Sequence, residues 1–206
     1  MSTEEGLEYM VALASELGSM TLWEGLAALL ALAYLVLAIR ESLWCWPAAF
    51  LSTAIYTVLF WEGALLSESL LNVYYMGMAL YGYWSWRFGG RRHHGVQIHA
   101  WPLARHAALI SGTAILGLGV GYLMDTYTHA EFAWLDAQTT CFSIVTTWLV
   151  ARKVLENWLY WIVINLVSMY LFLNKGFVLT TALYVLYFFL AIEGYRDWRR
   201  TYREHA

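Results

Sequence analysis

Apolar residues run almost unbroken through seven stretches of this chain, 22–39, 43–61, 67–86, 103–124, 137–150, 158–173 and 177–192, and the charged residues gather between them. Each stretch is predicted to be a helix that crosses a bilayer, since a helix satisfies its own backbone polar groups where no water can. Several fall short of the roughly 20 residues a perpendicular span needs. Packing in a compact bundle with aromatic ends absorbs that deficit. Trp23, Trp61 and Trp134 are expected at the outer interface, and Trp44, Trp46, Trp86, Trp101 and Trp198 at the inner one. Before the first span the pattern changes. Leu7, Met10, Val11, Ala14 and Leu17 recur at helical spacing, and Glu4, Glu5 and Glu8 stand where a cleavable signal would need basic residues. Residues 1–19 therefore read as an amphipathic helix on the outer, periplasmic surface.

Charge fixes the expected orientation. Threaded in and out, the connections place eleven of the twelve Lys and Arg residues on one side, with Lys175 alone on the other. Basic residues stay on the cytoplasmic face, so the N-terminus is expected outside and the C-terminus inside a bacterial inner membrane. Composition agrees, with 61% apolar and 13% charged residues against roughly 25% charged in soluble domains. The basic residues are short clusters at loop ends that orient helices, which argues against a nucleic-acid partner. Cys45 and Cys141 fall at opposite ends of their spans, too far apart for a disulfide.

The chain also repeats itself. Leu35, Val36, Trp44 and Tyr56 match Leu149, Val150, Trp158 and Tyr170 at a separation of 114; Gly63 matches Gly176 at 113; and Tyr75, Gly82, Tyr83, Trp86 and Arg87 match Tyr187, Gly194, Tyr195, Trp198 and Arg199 at 112. Spans one to three thus resemble spans five to seven. The predicted organisation is a first three-helix repeat over 20–87, an inner loop and linker helix over 88–125, a second repeat over 126–198 and a tail over 199–206. The repeats are offset by four spans, an even number, so both enter the membrane in the same direction, an arrangement typical of transporters with a site between the repeats. In the linker span, Gly117 and Gly121 give a GxxxG spacing suited to close helix approach.

No charged residue falls near the middle of any span, which argues against a proton relay and for movement down a gradient. Polar residues form stripes instead. Trp158, Trp161, Asn165 and Ser168 share a face of span six; Asn72, Tyr75, Met76 and Ala79 a face of span three; Ser52 and Tyr56 lie one turn apart in span two; and Gln138, Phe142 and Thr146 recur in span five. Amides in hydrocarbon need partners or a wet cavity. Such a lining suits a flat, aromatic, hydroxylated solute, with indole and phenol faces to stack on it and a few groups to orient it. Glu24 stands where it could attract a cation at the outer mouth.

Other classes lack their chemistry. A retinal-type receptor needs a mid-span Lys, and Lys153 and Lys175 sit at span ends; His93, His94 and His99 cluster in the inner loop, not at a depth for haem or metal. No mid-span His is placed to assist a nucleophile. Neither an enzyme nor a cofactor is called for.

The segment YYMGMALYGYWSW (74–86), the run DAQTT (136–140) and ARKVLENWLYWIVINLVS (151–168) resemble the PnuC family of vitamin transporters, and the resemblance extends over about 23–198. It implies an all-α membrane fold of seven spans in a three-plus-one-plus-three order similar to SWEET transporters, and a homotrimer with one pathway per protomer. It also implies facilitated diffusion of nicotinamide riboside, trapped inside by a cytosolic kinase. Trp158, Trp161 and Asn165 match the family's W-x-x-W-x-x-x-N motif and its substrate role. Asn72 stands where the nicotinamide riboside branch usually has Gln, and Ser52 near its Asn, which leaves thiamine, carried by a sister branch, as the alternative vitamin.

Overall fold

The structure, a computed structural model, describes residues 11, 15, 18, 21–62, 66–90, 95–128 and 132–205. Most of the leading amphipathic segment (Leu7, Met10, Ala14, Leu17), together with His93 and His94, lies outside the described residues. The described chain is all helical apart from one isolated β-bridge. Its seven long helices are α1 (Leu22–Ile39), α2 (Cys45–Glu62), α3 (Leu66–Phe88), α4 (Leu103–Tyr127), α5 (Ala133–Ala151), α6 (Asn157–Asn174) and α7 (Val178–His205). By length and composition α1, α4, α6 and α7 can each cross a bilayer.

Local chemistry sets the boundaries. At the start of α1, Thr21 and Glu24 form a capping box: the Thr21 Oγ1 accepts from the Glu24 N–H at 3.2 Å and the Glu24 carboxylate accepts from the Thr21 N–H at 2.7 Å. At its end the Glu41 N–H donates to the Ala38 carbonyl and the Ser42 N–H to the Leu37 carbonyl, a Schellman closure with Glu41 left-handed at φ 52°. The end of α5 closes the same way 112 residues later. There the Lys153 N–H donates to Val150 and the Val154 N–H to Leu149, with Lys153 also at φ 52°. These two strained residues meet: the Lys153 Nζ lies 2.8 Å from the Glu41 carboxylate and 4.6 Å from the centre of the Trp86 ring.

Among the described residues the helices pack as a closed ring, α1 on α2, α2 on α3, α3 on α5, α5 on α6, α6 on α7 and α7 back on α1. Helix α4 stands outside the ring and packs along α5. Its Gly117 and Gly121 are buried against Gln138 and Trp134 of α5, so this GxxxG spacing serves a contact within the chain. The basic end of α4 is also pinned to α6, where His106 Nδ1 and the Tyr160 hydroxyl are 2.8 Å apart. At the opposite end Lys175 is paired with Asp136 at 2.7 Å, tying the end of α6 to the start of α5.

The tryptophans expected at the inner interface divide into two groups. Trp44 is exposed, as a belt residue is, but Trp46, Trp86 and Trp198 are buried in the core. With Trp158 they form a chain of four indoles: Trp46 to Trp86 at 5.3 Å, Trp86 to Trp198 at 5.9 Å and Trp198 to Trp158 at 5.4 Å between centroids. Buried indoles need partners for their N–H groups. Trp86 Nε1 donates to the Val150 carbonyl of α5, and Trp198 Nε1 to the Ala38 and Ile39 carbonyls of α1. The repeat register is corrected here as well. Glu41 corresponds to Lys153 and Ala38 to Val150, both at 112, so the counterpart of Trp158 is Trp46 and not Trp44. The packing agrees, for Trp46 lies on Gly82 as Trp158 lies on Gly194.

Candidate binding site

The ring encloses a cavity of about 270 Å³ to which all six of its helices contribute and α4 does not. Helix α1 supplies Ala31, Tyr34 and Leu35; α2 supplies Trp46, Ala49, Ser52 and Thr53; and α3 supplies Tyr75. From the other side come Ser143, Thr147 and Val150 of α5, Trp158, Trp161 and Asn165 of α6, and Tyr184, Tyr187 and Ala191 of α7. The floor at the basic end is Trp46 and Trp158, backed by Trp86 and Trp198. Among the described residues no Asp, Glu, Lys, Arg or His lines the cavity, so recognition there rests on ring faces and hydrogen bonds.

Three of the four Ser and Thr hydroxyls in the lining are committed as donors. Ser52 donates to the Ala27 carbonyl of α1 at 2.8 Å, Thr53 to the Ala49 carbonyl at 2.9 Å and Thr147 to the Ser143 carbonyl at 2.8 Å. Asn165 differs. Its residue is 4% exposed, its side chain borders the cavity, and among the described residues its amide has no hydrogen-bond partner. The Nε1 atoms of Trp46 and Trp158 are likewise buried without a partner. Unpaired polar groups in an apolar enclosure are costly unless something else completes them. The Asn165 side chain borders a cavity large enough for a small solute, whereas the two indole nitrogens are closed off from it.

Of the residues expected from sequence to meet substrate, Ser52, Tyr75, Trp158, Trp161 and Asn165 come together around this cavity. The other six lie outside its lining. Asn72 turns its amide back to the Glu68 carbonyl of its own helix at 2.9 Å, and Tyr56 stacks on Phe60 at 5.6 Å. Gln138 bridges to the Ala114 carbonyl of α4 at 3.1 Å, Thr146 is fully buried, Met76 is half-buried, and Glu24 spends its carboxylate on the cap of α1. Tyr34, Trp46, Thr53, Ser143, Thr147, Tyr184 and Tyr187 line the cavity without having been singled out as site residues. The repeat held a signal for some of them: Tyr187 is the counterpart of Tyr75, and a register of 112 carried through α2 pairs Trp46 with Trp158 and Thr53 with Asn165.

The sequence pattern of the nicotinamide mononucleotide transporter family matches residues 21–200. The riboflavin/roseoflavin transporter RibM of Streptomyces davaonensis is 31% identical over 175 residues, covering 82% of this chain and 81% of that protein. The nicotinamide riboside transporter PnuC of Escherichia coli is 24% identical over 181 residues, 76% of each chain. A crystal structure of the vitamin B3 transporter PnuC shares the fold, with a TM-score of 0.72 over 100% of this chain and 94% of that one at 19% identity. With its apolar helices, its aromatic-lined cavity and these relatives, the chain belongs to the nicotinamide mononucleotide transporter family, and is a membrane vitamin transporter of the PnuC type.

Proposed function

We propose that the protein carries nicotinamide riboside inward across the bacterial cytoplasmic membrane by facilitated diffusion, and that a cytosolic kinase traps the vitamin by phosphorylation. The observation that carries this reading is the unpartnered Asn165 amide set beside Trp158 and Trp161 in a cavity without fixed charge. Indole faces attract a cationic pyridinium ring, and the amide can pair with its carboxamide. Size supports a small ligand, since about 270 Å³ lies just under the roughly 300–1,000 Å³ of pockets for drug-sized molecules. The absence of a carboxylate from the lining favours a passive cycle over ion coupling. The assembly that goes with this reading is seven spans in a three-plus-one-plus-three order, N-terminus outside, as a homotrimer. The recurrence of the same loop closure and indole packing at 112 residues supports the repeat.

A second vitamin is favoured by one observation: the 31% identical relative is a riboflavin/roseoflavin transporter. Riboflavin is neutral and hydroxylated, which suits an uncharged lining, but its three-ring system asks for more room. Uptake into proteoliposomes, with nicotinamide riboside, riboflavin and thiamine as competitors, separates these readings. Vesicles loaded with unlabelled nicotinamide riboside are expected to exchange it for labelled vitamin without a proton or sodium gradient. The membrane potential must be clamped at zero, because a cation gains about 2.3 kcal/mol per 100 mV from a negative interior. Accumulation that persists under the clamp and follows a pH or sodium step rules out the passive cycle.

Orientation is tested separately. With Cys45 and Cys141 replaced, Thr128→Cys is expected to react with an impermeant thiol reagent from outside the cell and Arg203→Cys only after the membrane is opened. The reverse pattern inverts the topology.

A further inference from the structure

In register at 112, Trp46, Ala49 and Thr53 of α2 hold the positions that Trp158, Trp161 and Asn165 hold on α6, and all six line the cavity. The two floor indoles are also supported alike. Trp46 rests on Gly82 and meets Trp86 nearly edge-on at 86°; Trp158 rests on Gly194 and meets Trp198 at 89°. Both leave Nε1–H buried and without a partner. The two faces then diverge. Where α6 has a second indole, α2 has the methyl of Ala49, and where α6 has a free amide, α2 has Thr53, whose hydroxyl proton is already given to the Ala49 carbonyl at 2.9 Å. Trp46 presents its ring, since its Nε1 is closed off from the cavity, and the Thr53 Oγ1 can only accept.

We infer that Trp46, Ala49 and Thr53 form the second half of the substrate site and select for the hydroxyl-bearing part of the ligand. The aromatic ring is held by the indoles of α6. The polyol remainder lies over Ala49, in space that the matching position of α6 fills with Trp161, between the Trp46 ring and an acceptor two turns along α2. Seven residues of helix separate Trp46 from Thr53, about 10 Å along the axis at 1.5 Å per residue, which leaves room for a sugar. The inference rests on this cavity being the vitamin site.

The test is calorimetric titration of the purified full chain in lipid nanodiscs with nicotinamide riboside and with 1-methylnicotinamide, which keeps the cationic ring and lacks the sugar. Thr53→Val keeps the shape of the side chain and removes the acceptor. It is expected to weaken nicotinamide riboside about tenfold, the worth of one hydrogen bond in a dry site, and to leave 1-methylnicotinamide unchanged. Ala49→Val and Ala49→Leu are expected to lower riboside affinity in step with side-chain size, again sparing the sugar-free ring. They keep the test open should Thr53→Val melt early. If riboflavin proves to be the vitamin, lumiflavin, which lacks the ribityl chain, replaces 1-methylnicotinamide. Equal loss for both ligands reduces this face to packing and overturns the inference, as does unchanged riboside binding in all three variants. A wild-type chain that binds none of the vitamins overturns the site reading itself, a result distinct from either.

Discussion

Asn165→Leu is expected to melt at or above the wild-type temperature without ligand, and to lose vitamin binding by at least tenfold. The two effects have one cause. Among the described residues the Asn165 amide has no hydrogen-bond partner, so the fold loses no hydrogen bond within the chain when the amide is removed. Leucine is of similar size and adds apolar contact. The ligand then finds no amide to orient it and must leave its own polar atoms unpaired against a methyl group, a penalty of at least about 1.4 kcal/mol, or tenfold. Thermal melting with and without nicotinamide riboside, together with titration calorimetry, reads both quantities. A variant that melts well below wild type while binding normally makes Asn165 a structural residue whose partner is another part of the chain. Binding sites commonly hold polar groups that add little to the fold, because what completes them is the ligand.

That amide was legible in the sequence because three signals coincided: a helical stripe, a costly side chain in an apolar run and the family motif. Helix α5 shows where stripes mislead. Gln138, Phe142 and Thr146 share a face, but the cavity is lined by Ser143, Thr147 and Val150, one residue on and so rotated by about 100°. Periodicity tells which residues look the same way. It does not tell which way is inward when all neighbours are apolar, and Gln138 points to α4 instead. The tryptophans of the basic end failed for a related reason. An indole near a span end is suited to the interface, yet Gly82 and Gly194 open space on neighbouring helices into which Trp46 and Trp158 fit. That pairing is invisible until the repeat is aligned at 112.

Boundaries follow the same logic. The expected span 22–39 matches α1 because a capping box opens it and a Schellman closure ends it. Helix α7 runs on from 192 to 205 because hydropathy falls at Glu193 while helix propensity does not; Glu193 and Arg196 pair along it at 2.6 Å. Helix α5 begins four residues before the apolar run, with Asp136 in its first turn, where a carboxylate favours the helix dipole.

The second large effect is expected at Lys153. Its ammonium is nearly buried, 2.8 Å from the Glu41 carboxylate and 4.6 Å from the centre of the Trp86 ring. It therefore joins the α1–α2 and α5–α6 connections beside Trp86, which backs the two indoles that floor the cavity. Breaking a buried ion pair costs about 3–5 kcal/mol, because the survivor is left uncompensated. The Glu41 side chain is 23% exposed, so water recovers part of that, and about 2–3 kcal/mol is expected for Lys153→Ala once the lost cation–π contact is included. In a chain of this size that lowers the melting temperature by roughly 5–10 °C. The double reversal Glu41→Lys with Lys153→Glu rebuilds the ion pair but sets a carboxylate over the Trp86 face, which repels it, so only part of the loss is expected to return. Local opening gives a further readout. Cys45 is fully buried four residues beyond Glu41, and its labelling rate measures how often this end of the bundle loosens. Lys153→Ala should speed that labelling several-fold relative to Cys141, which sits on α5 away from the pair. Equal labelling and an unchanged melting temperature would show that the tryptophan hydrogen bonds to Val150 and Ala38 hold the floor without help from the ion pair.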